Sequence, residues 1–307
     1  MIIFNYLLMC IIFGTTFLAI KVGVDAGAPP FFSAGVRFFM AGLILFGWMV
    51  WKKKARVSLL LRKEMLFTGI GLTFGTFSTL YWAEQYVTSG IAAVLSATGP
   101  IMILLLQTFL LRQKSSIHSM AGCLVGFAGV ILLLLPSISF EMNLFWVLGC
   151  FIILIGEIFY SSGTLYSKHV MERFADTSPI ALNAAQMMYG GAMLLVLSTS
   201  TEHVHIESML TLHAIGSLLY LIIVGSMLGH SIYYWLVAKT NPVFPSTWLY
   251  ISPLLALGLG TLLYHEAVSW FTLTGVITII TGILLINVGS LRQLVSKSEK
   301  GLRNLSS

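Results

Sequence analysis

Long apolar stretches fill most of the chain, and each is close to the length of a membrane-spanning helix. About 20 apolar residues cross the hydrocarbon core of a bilayer as an α-helix. The stretches are too long and continuous for barrel strands, which would be about 10 residues of alternating polarity. The pattern therefore predicts an all-α membrane protein with ten transmembrane helices, at about 3–21, 31–51, 65–86, 91–111, 118–135, 144–168, 179–198, 211–238, 245–264 and 270–290.

Composition supports this prediction. Hydrophobic residues make up 57% of the chain and charged residues only 9%, whereas about 25% of residues are charged in a soluble globular protein. The surplus apolar surface needs lipid to cover it, and the apolar runs leave no room for a soluble domain. The first run lacks a basic leader and a small-residue cleavage site, so we expect it to be retained as a span.

The positions of the basic residues predict the topology. Ten spans with both termini in the cytoplasm place 15 of the 17 Lys and Arg residues in cytoplasmic segments, which is the positive-inside pattern. The net charge of +6 then suits the anionic head groups of the bilayer and does not call for a nucleic-acid partner. The fifteen residues are Lys52, Lys53, Lys54, Arg56, Arg62, Lys63, Arg112, Lys114, Lys168, Arg173, Lys239, Arg292, Lys297, Lys300 and Arg303.

The chain also repeats itself. Residues 75–135 align with 228–288 at a constant offset of 153, without a gap. Earlier segments repeat at slightly shorter offsets. The matched positions include Lys21 with Lys168, Gly42 with Gly191, Tyr81-Trp82 with Tyr234-Trp235, Pro100 with Pro253, Gly122 with Gly275 and Gly129 with Gly282.

Each half contains five predicted spans. Because five is odd, the second half enters the membrane from the opposite side, so the repeats are expected to be inverted. We expect a first five-helix repeat at 3–135, a second at 144–290, and a basic cytoplasmic tail at 291–307. Two such halves can enclose a transport site and rock around it.

The motifs, taken in order, resemble those of the drug/metabolite transporter superfamily, specifically an EamA-type ten-span protein, over about 5–290. The first unit carries Phe13-Gly14-Thr15-Thr16-Phe17-Leu18-Ala19-Ile20-Lys21, then Pro29-Pro30 with Arg37-Phe38-Phe39-Met40-Ala41-Gly42, then Tyr81-Trp82-Ala83-Glu84-Gln85-Tyr86 with Gly90 to Pro100. The second carries Tyr264-His265-Glu266, Gly275 and Gly282-Ile283-Leu284-Leu285-Ile286. The resemblance implies a bacterial inner-membrane exporter of metabolites, amino acids or toxic compounds.

Two positions depart from the family pattern. Gln113 stands where the first unit often carries Glu, and Gln186 stands opposite Arg37. Any role of these positions in this chain would therefore be asymmetric between the two halves.

Equivalent interruptions of spans four and nine predict a hinge that lines the cavity. They are Thr98-Gly99-Pro100 and Ile251-Ser252-Pro253. Proline removes a backbone donor and bends a helix, which frees a carbonyl to face a ligand or water. The alternative is a kink that only improves packing.

Aromatic residues form the second candidate group. Tyr81-Trp82 and Tyr234-Trp235 lie three to five residues inside their span ends, and only one member of each pair can face a cavity well. Together with Trp248 and Tyr250 they would suit an amphipathic or zwitterionic substrate. The alternative is that they anchor the spans at the membrane interface.

Ionisable residues inside spans are costly and therefore point to function. Glu157 lies about 13 residues into span six, near mid-membrane, with no basic residue one turn away. We expect it to couple transport to protons or to contact a substrate ammonium group. The alternative is a structural carboxyl hydrogen-bonded to nearby Ser and Tyr residues.

Four further ionisable residues are candidates. Arg37 in span two could bind a carboxylate, or it could form a structural pair. Lys21 and Glu84 both belong near the outer face and could form an outer gate, or act as independent interface charges. His230 in span eight is a pH-sensitive candidate or a packing histidine.

Other classes of function find little support. His265-Glu266 begins like a zinc-protease helix, but Ser269 stands in place of the second His. The chain has no phosphate-binding Gly-x4-Gly-Lys-Ser/Thr motif, so ATP hydrolysis is not expected, and neither is any cofactor or metal. Cys10, Cys123 and Cys150 all lie inside spans, which favours buried thiols over disulfides.

The sequence thus predicts a secondary transporter, not an enzyme, that exports small metabolites such as amino acids by alternating access. A passive facilitator or a lipid flippase on the same scaffold is the alternative, and an intramembrane enzyme lacks a recognisable catalytic constellation. Protons are the expected coupling ion. The spacing Gly122-x3-Gly126 would also fit a homodimer interface, as an alternative to packing within one chain.

Overall fold

A computed structural model describes residues 1–112, 116–135, 143–203, 209–252, 254–255, 270–271 and 273–286. All regular structure in these ranges is helical. The α-helices are α1 (Ile2–Asp25), α2 (Pro30–Trp51), α3 (Lys63–Gly69), α4 (Thr76–Ala83), α5 (Ser89–Ser96), α6 (Gly99–Phe109), α7 (Ile117–Leu134), α8 (Leu144–Arg173), α9 (Pro179–Thr201), α10 (Leu212–Tyr220), α11 (Ser231–Lys239), α12 (Val243–Ser246) and α13 (Leu273–Ile286).

Six helical stretches in the described ranges are long and apolar enough to cross a membrane. They are Ile2–Asp25, Pro30–Trp51, Ile91–Phe109, Leu144–Arg173, Pro179–Thr201 and Leu212–Lys239, and the shorter helices α7 and α13 are also apolar. The prediction of an all-α, multi-span membrane protein is therefore confirmed. The number ten stays a prediction, because much of span nine, at 256–264, lies outside the described residues.

Three predicted spans are not continuous α-helices, and for span four the sequence had already indicated an interruption. Span four is interrupted at 97–98 between α5 and α6. Spans three and eight each contain a π-helical segment, Ile70–Gly75 between α3 and α4 and Leu221–His230 between α10 and α11. A π turn is wider than an α turn, which changes the face that the following residues present, and such turns are frequent at functional sites.

Helices from the two halves pack directly against each other. The most extensive contact joins α2 to α9, while α8 packs against α3, α4 and α6, and α1 packs against α10 and α11. Small residues allow this approach. A methyl group on Gly42 would press on the carbonyl of Ala184, and one on Gly191 would press on the carbonyl of Gly35.

The helices α7 and α13 form a second close contact between the halves. A methyl group on Gly122 would press on the carbonyl of Gly282, and one on Gly129 on that of Gly275. Gly126 faces the ring of Tyr250. Gly122 and Gly126 are thus occupied by packing within one chain, and the dimer interface predicted there gains no support.

Several predicted features lie outside the described residues: Pro253, Gln113, His265 and Glu266, most of the junction between the halves at 136–142, and the basic tail at 291–307. The cysteines are described, and Cys10, Cys123 and Cys150 are all free thiols, the first two of them buried.

Candidate functional site

An interior cavity lies where α1, α2, α4, α8 and α11 meet, so its wall includes both halves of the chain. Its volume is about 50 Å³, enough for a few water molecules but well below the roughly 300–1,000 Å³ of typical small-molecule sites. The wall is largely aromatic, with Phe13, Phe17, Phe77, Tyr160, Tyr233 and Trp248 among its side chains.

Glu157 contributes a carboxyl group to this cavity from α8. Its side chain is only 5% exposed, and its Oε2 atom has no hydrogen-bond partner. Ser96 interacts with the carboxyl group across the cavity wall. No Lys, Arg or His nitrogen of the described chain lies within 4 Å of it. The site therefore holds a buried acid with capacity for one further partner.

Gly99 and Pro100 begin α6 and are both buried, and Gly99 lies beside this acid. A methyl group on Gly99 would lie 2.5 Å from Oε2 of Glu157 and 3.0 Å from the Leu249 side chain. Ser252, the matched position in the second half, is also buried and packs against Gly14. The missing side chain of Gly99 thus leaves room for the carboxyl group.

A chain of hydroxyl groups lies near Glu157, and the sequence reasoning missed it. The Tyr160 hydroxyl donates to the Tyr233 hydroxyl at 2.9 Å, and Thr164 shares a 2.9 Å hydrogen bond with the same oxygen. Tyr160 and Tyr233 line the cavity. The sequence carried a signal for both tyrosines. Tyr160 follows Glu157 by one helical turn, and Tyr233 directly precedes the candidate Tyr234.

Arg37 lines another part of the wall from α2 and is 1% exposed. Its Nε donates to the Ser226 hydroxyl at 2.9 Å and its Nη1 to the Tyr81 hydroxyl at 3.2 Å. The guanidinium carbon lies 4.6 Å from the ring centre of Phe38 and 5.1 Å from that of Phe77. This cation is held by hydroxyl groups and aromatic faces.

His230 also lines the cavity, at the end of the second π segment. Its ring meets Phe13 edge-on at 5.1 Å and Phe38 at 5.5 Å between centroids. Phe77 lies 5.8 Å away. His230 is therefore set among aromatic rings in the cavity wall.

In each aromatic pair one member points inward. Tyr81 is buried and bonds to Arg37, and Tyr234 lines the cavity. Trp82 is half-buried and packs on Tyr86, and Trp235 is half-buried at the edge of the core.

The two aromatic residues after α12 are placed differently from each other. Trp248 lines the cavity, and its role as a substrate contact stays a prediction. Tyr250 does not: its hydroxyl donates to the Cys123 carbonyl at 3.1 Å, and its ring covers Gly126. The helical turn puts the two side chains on different faces, because they are about 200° apart.

Lys21 and Glu84 meet, but not as the charge pair that the sequence suggested. The Lys21 ammonium pairs with Asp25 at 2.8 Å and donates to the backbone carbonyl of Glu84 at 3.2 Å. The Glu84 carboxyl group is fully buried, and neither of its oxygens has a hydrogen-bond partner.

Lys168 makes the matching arrangement in the second half. Its ammonium lies 3.9 Å from Glu172 and donates to the carbonyls of Val237, Ala238 and Thr240 at 3.3–3.4 Å. Each lysine thus ties its own helix to the carbonyl end of another, where a cation is favourable. We call these two arrangements the lysine clamps.

In the described parts of the chain, no three His, Cys, Asp or Glu residues are grouped so that they could hold a metal ion.

Comparison with known proteins identifies the scaffold. A solved crystal structure superposes with a TM-score of 0.74 at 19% identity, covering 94% of this chain and 97% of the other. The protein named "uncharacterized inner membrane transporter YedA" of Escherichia coli K12 is 29% identical over 91% of this chain and 88% of its own.

Two further relatives come from other bacteria. Protein PagO of Salmonella typhimurium is 27% identical over 91% of this chain and 90% of its own. The "uncharacterized transporter YoaV" of Bacillus subtilis is 26% identical over 90% and 92%. The model of the EamA-like transporter family matches residues 1–135 and again 147–288, and the chain therefore belongs to that family.

Proposed function

We propose that this membrane transporter exports small amphipathic metabolites across a bacterial inner membrane by proton-coupled alternating access. The observation that carries the proposal is the small cavity between the halves, with the unpartnered oxygen of Glu157 in its wall. A cavity of about 50 Å³ admits no metabolite, so loading and release require the helices around it to separate.

Reciprocal contacts support an inverted relation between the halves. Gly122 meets Gly282 while Gly129 meets Gly275, and each partner is the other glycine's counterpart at the offset of 153. A two-fold axis produces this exchange of partners. Phe77 and His230 are counterparts at the same offset and touch each other, as residues on such an axis do.

The π segments and the lysine clamps agree with this relation. The first segment, Ile70–Gly75, shifted by 153 residues falls within the second, Leu221–His230. With both termini cytoplasmic, the Lys21 clamp lies at the outer face and the Lys168 clamp at the inner face. One closure at each face is what alternating access needs.

Glu157 is the proposed proton carrier. A carboxyl group with no cationic partner can be neutral or charged according to what occupies the cavity beside it. The nearby hydroxyls of Tyr160 and Tyr233 can donate to its charged form or accept from its neutral form. Cargo and proton would then compete for, or share, one acid.

Flux into proteoliposomes tests this function. Labelled amino acids and a quaternary-ammonium dye are offered with and without an imposed pH gradient, to wild type, Glu157→Gln and Glu157→Asp. We expect gradient-driven accumulation of at least one compound by wild type. It should be abolished in Glu157→Gln and partly retained in Glu157→Asp, because only the latter keeps a titratable acid.

Two results would contradict parts of the proposal. In the first, a labelled compound equilibrates saturably at a rate that does not depend on the pH gradient, in wild type and in Glu157→Gln alike. The protein would then be a passive facilitator, and Glu157 a structural residue. Movement of a labelled phospholipid between leaflets, with no flux of the soluble compounds, would replace export of metabolites by lipid translocation.

A further inference from the structure

The two halves make one buried polar contact in two chemically different ways. In the first version, Nε of Arg37 on α2 donates to the hydroxyl of Ser226 at 2.9 Å. In the second, the hydroxyl of Thr73 donates to Oε1 of Gln186 on α9 at 2.8 Å. Arg37 and Gln186 are matched positions at an offset of 149, which also relates Gly42 to Gly191. Thr73 and Ser226 are matched at 153.

The comparison shows what the scaffold needs at this position. A neutral amide satisfies the helix–helix contact in one half, so the contact does not require a cation. A guanidinium group buried away from water costs several kcal/mol unless it is paired. Arg37 is 1% exposed, and no carboxylate oxygen of the described chain lies within 4 Å of it. Its charge therefore calls for an explanation beyond packing.

The charged groups around Arg37 do not supply a counter-ion. Three ionisable side chains interact electrostatically with Arg37: Glu84, His230 and the phenol of Tyr81. Glu84 remains beyond ion-pairing distance and has no hydrogen-bond partner of its own. A guanidinium has five N–H donors, and Ser226 and Tyr81 take one each. Donors therefore remain for a group that enters the cavity.

We propose that Arg37 binds an anionic oxygen group of the cargo, so that the transported metabolites carry a carboxylate on an apolar body. This inference rests on the proposed function, because it assigns the substrate class of the same cavity. Arg matches a carboxylate with two parallel N–H···O bonds. The rings of Phe38 and Phe77, which hold the guanidinium in place, preorganise it.

Matched pairs of ligands test this assignment even while the cargo is unidentified. Purified protein in detergent is titrated at pH 6 with L-leucine, L-methionine and L-phenylalanine, each beside its carboxamide, and thermal unfolding reports binding. At this pH the amino group is protonated in both members, so only the carboxylate differs. Arg37→Gln, which copies the mirror residue Gln186, and Arg37→Lys, which keeps the charge, are titrated in parallel.

We expect at least one carboxylate to bind wild type about tenfold more tightly than its amide, as one charge-assisted contact implies. Arg37→Gln should lose that preference, and Arg37→Lys should keep part of it. Equal binding of every acid and amide by wild type would overturn the inference, and that comparison needs no variant to fold. A full preference retained in Arg37→Gln would also overturn it.

Flux of the same compounds separates this inference from the proposed function. Carboxylate-selective binding without any transport would support the Arg37 site and contradict export. Transport that treats acid and amide alike would support export and contradict the Arg37 site.

Discussion

At the scale of single residues, the environment of Glu157 depends on a neighbour without a side chain. Gly99 starts α6 directly against the carboxyl group, and a methyl group on it would also meet the Leu249 side chain. Any added atom must displace the carboxyl group or the leucine. The position is therefore sensitive to a single methyl group, unlike glycines that face open space.

We predict that Gly99→Ala strongly reduces proton-coupled flux, because the methyl group pushes the carboxyl group of Glu157 aside. The free energy of unfolding should fall by no more than about 1 kcal/mol, since the atoms that must shift are the ends of flexible side chains. Gly47→Ala is the matched control, because a methyl group there meets nothing within 4 Å. That control should be neutral or slightly stabilising, by up to about 1 kcal/mol. Detergent unfolding and proteoliposome flux measure both effects, and equal behaviour of the two variants would refute the argument.

The sequence identified Glu157, Gly99 and Arg37 as separate candidates, since charge and glycine inside an apolar run are visible in one dimension. It could not show that Gly99 touches Glu157, or that Ser226 and Tyr81 hold Arg37. These contacts join different helices, and their geometry depends on packing. The same limit explains Tyr250, whose type suits a cavity but whose helical face points to Gly126.

At the scale of elements, the sequence located the helices and the break in span four but not the π-helical segments. A run such as 65–86 is equally apolar whether its turns are α or π, so the segment Ile70–Gly75 left no signal in the pattern. Thr76 shows how the structure tolerates it. Its hydroxyl donates to the carbonyl of Gly71 at 2.8 Å, which satisfies a group at the widened turn.

The lysine clamps could not be predicted from the sequence. Lys21 and Lys168 donate to backbone carbonyls, and every residue type carries a backbone carbonyl. We predict that Lys168→Met exposes the cavity to the cytoplasmic side and Lys21→Met to the outer side. Each loses charge-assisted bonds at one face while the methionine retains the apolar stem. We expect the exposure of the cavity to rise about three- to tenfold in each variant, which is the effect of losing partly exposed ionic contacts.

The measurement is the rate at which a membrane-impermeant maleimide labels Leu80→Cys, a cavity residue, with Cys10, Cys123 and Cys150 replaced. Right-side-out and inside-out vesicles distinguish the two faces. Opposite changes in the two variants support the clamps as gates. Parallel changes, or none, would reduce them to caps of helix ends.

At the scale of the whole molecule, the outer surface is as informative as the cavity. On α8, the large apolar side chains of Phe151, Ile155 and Ile158 are 63%, 48% and 53% exposed. They recur at the spacing of one helix face. Such a face is unsuited to water and is expected to contact lipid.

We predict that Phe151→Asp sharply lowers the amount of protein recovered from the membrane, because an acid facing the hydrocarbon of the bilayer costs up to about 2.5–3.5 kcal/mol, the cost at the centre of a span. Phe151→Leu should leave the amount of recovered protein unchanged, because fluid lipid chains adapt to a side chain of different shape. Quantitative blotting of membrane fractions compares the two. Normal recovery of the aspartate variant would mean that this face is covered by protein or water.

The pairing of Arg37–Ser226 with Thr73–Gln186 has a consequence for ancestry. An assembly of two identical half-length chains carries every side chain twice, so a guanidinium in one copy implies a second one nearby. Two such groups around a small low-dielectric cavity would repel each other strongly. When the two copies are joined in one polypeptide, matched positions can carry different residues. One position can then keep its cation while the matched position in the other half becomes an amide. A fused chain can therefore hold an odd number of buried charges, which a symmetric dimer cannot.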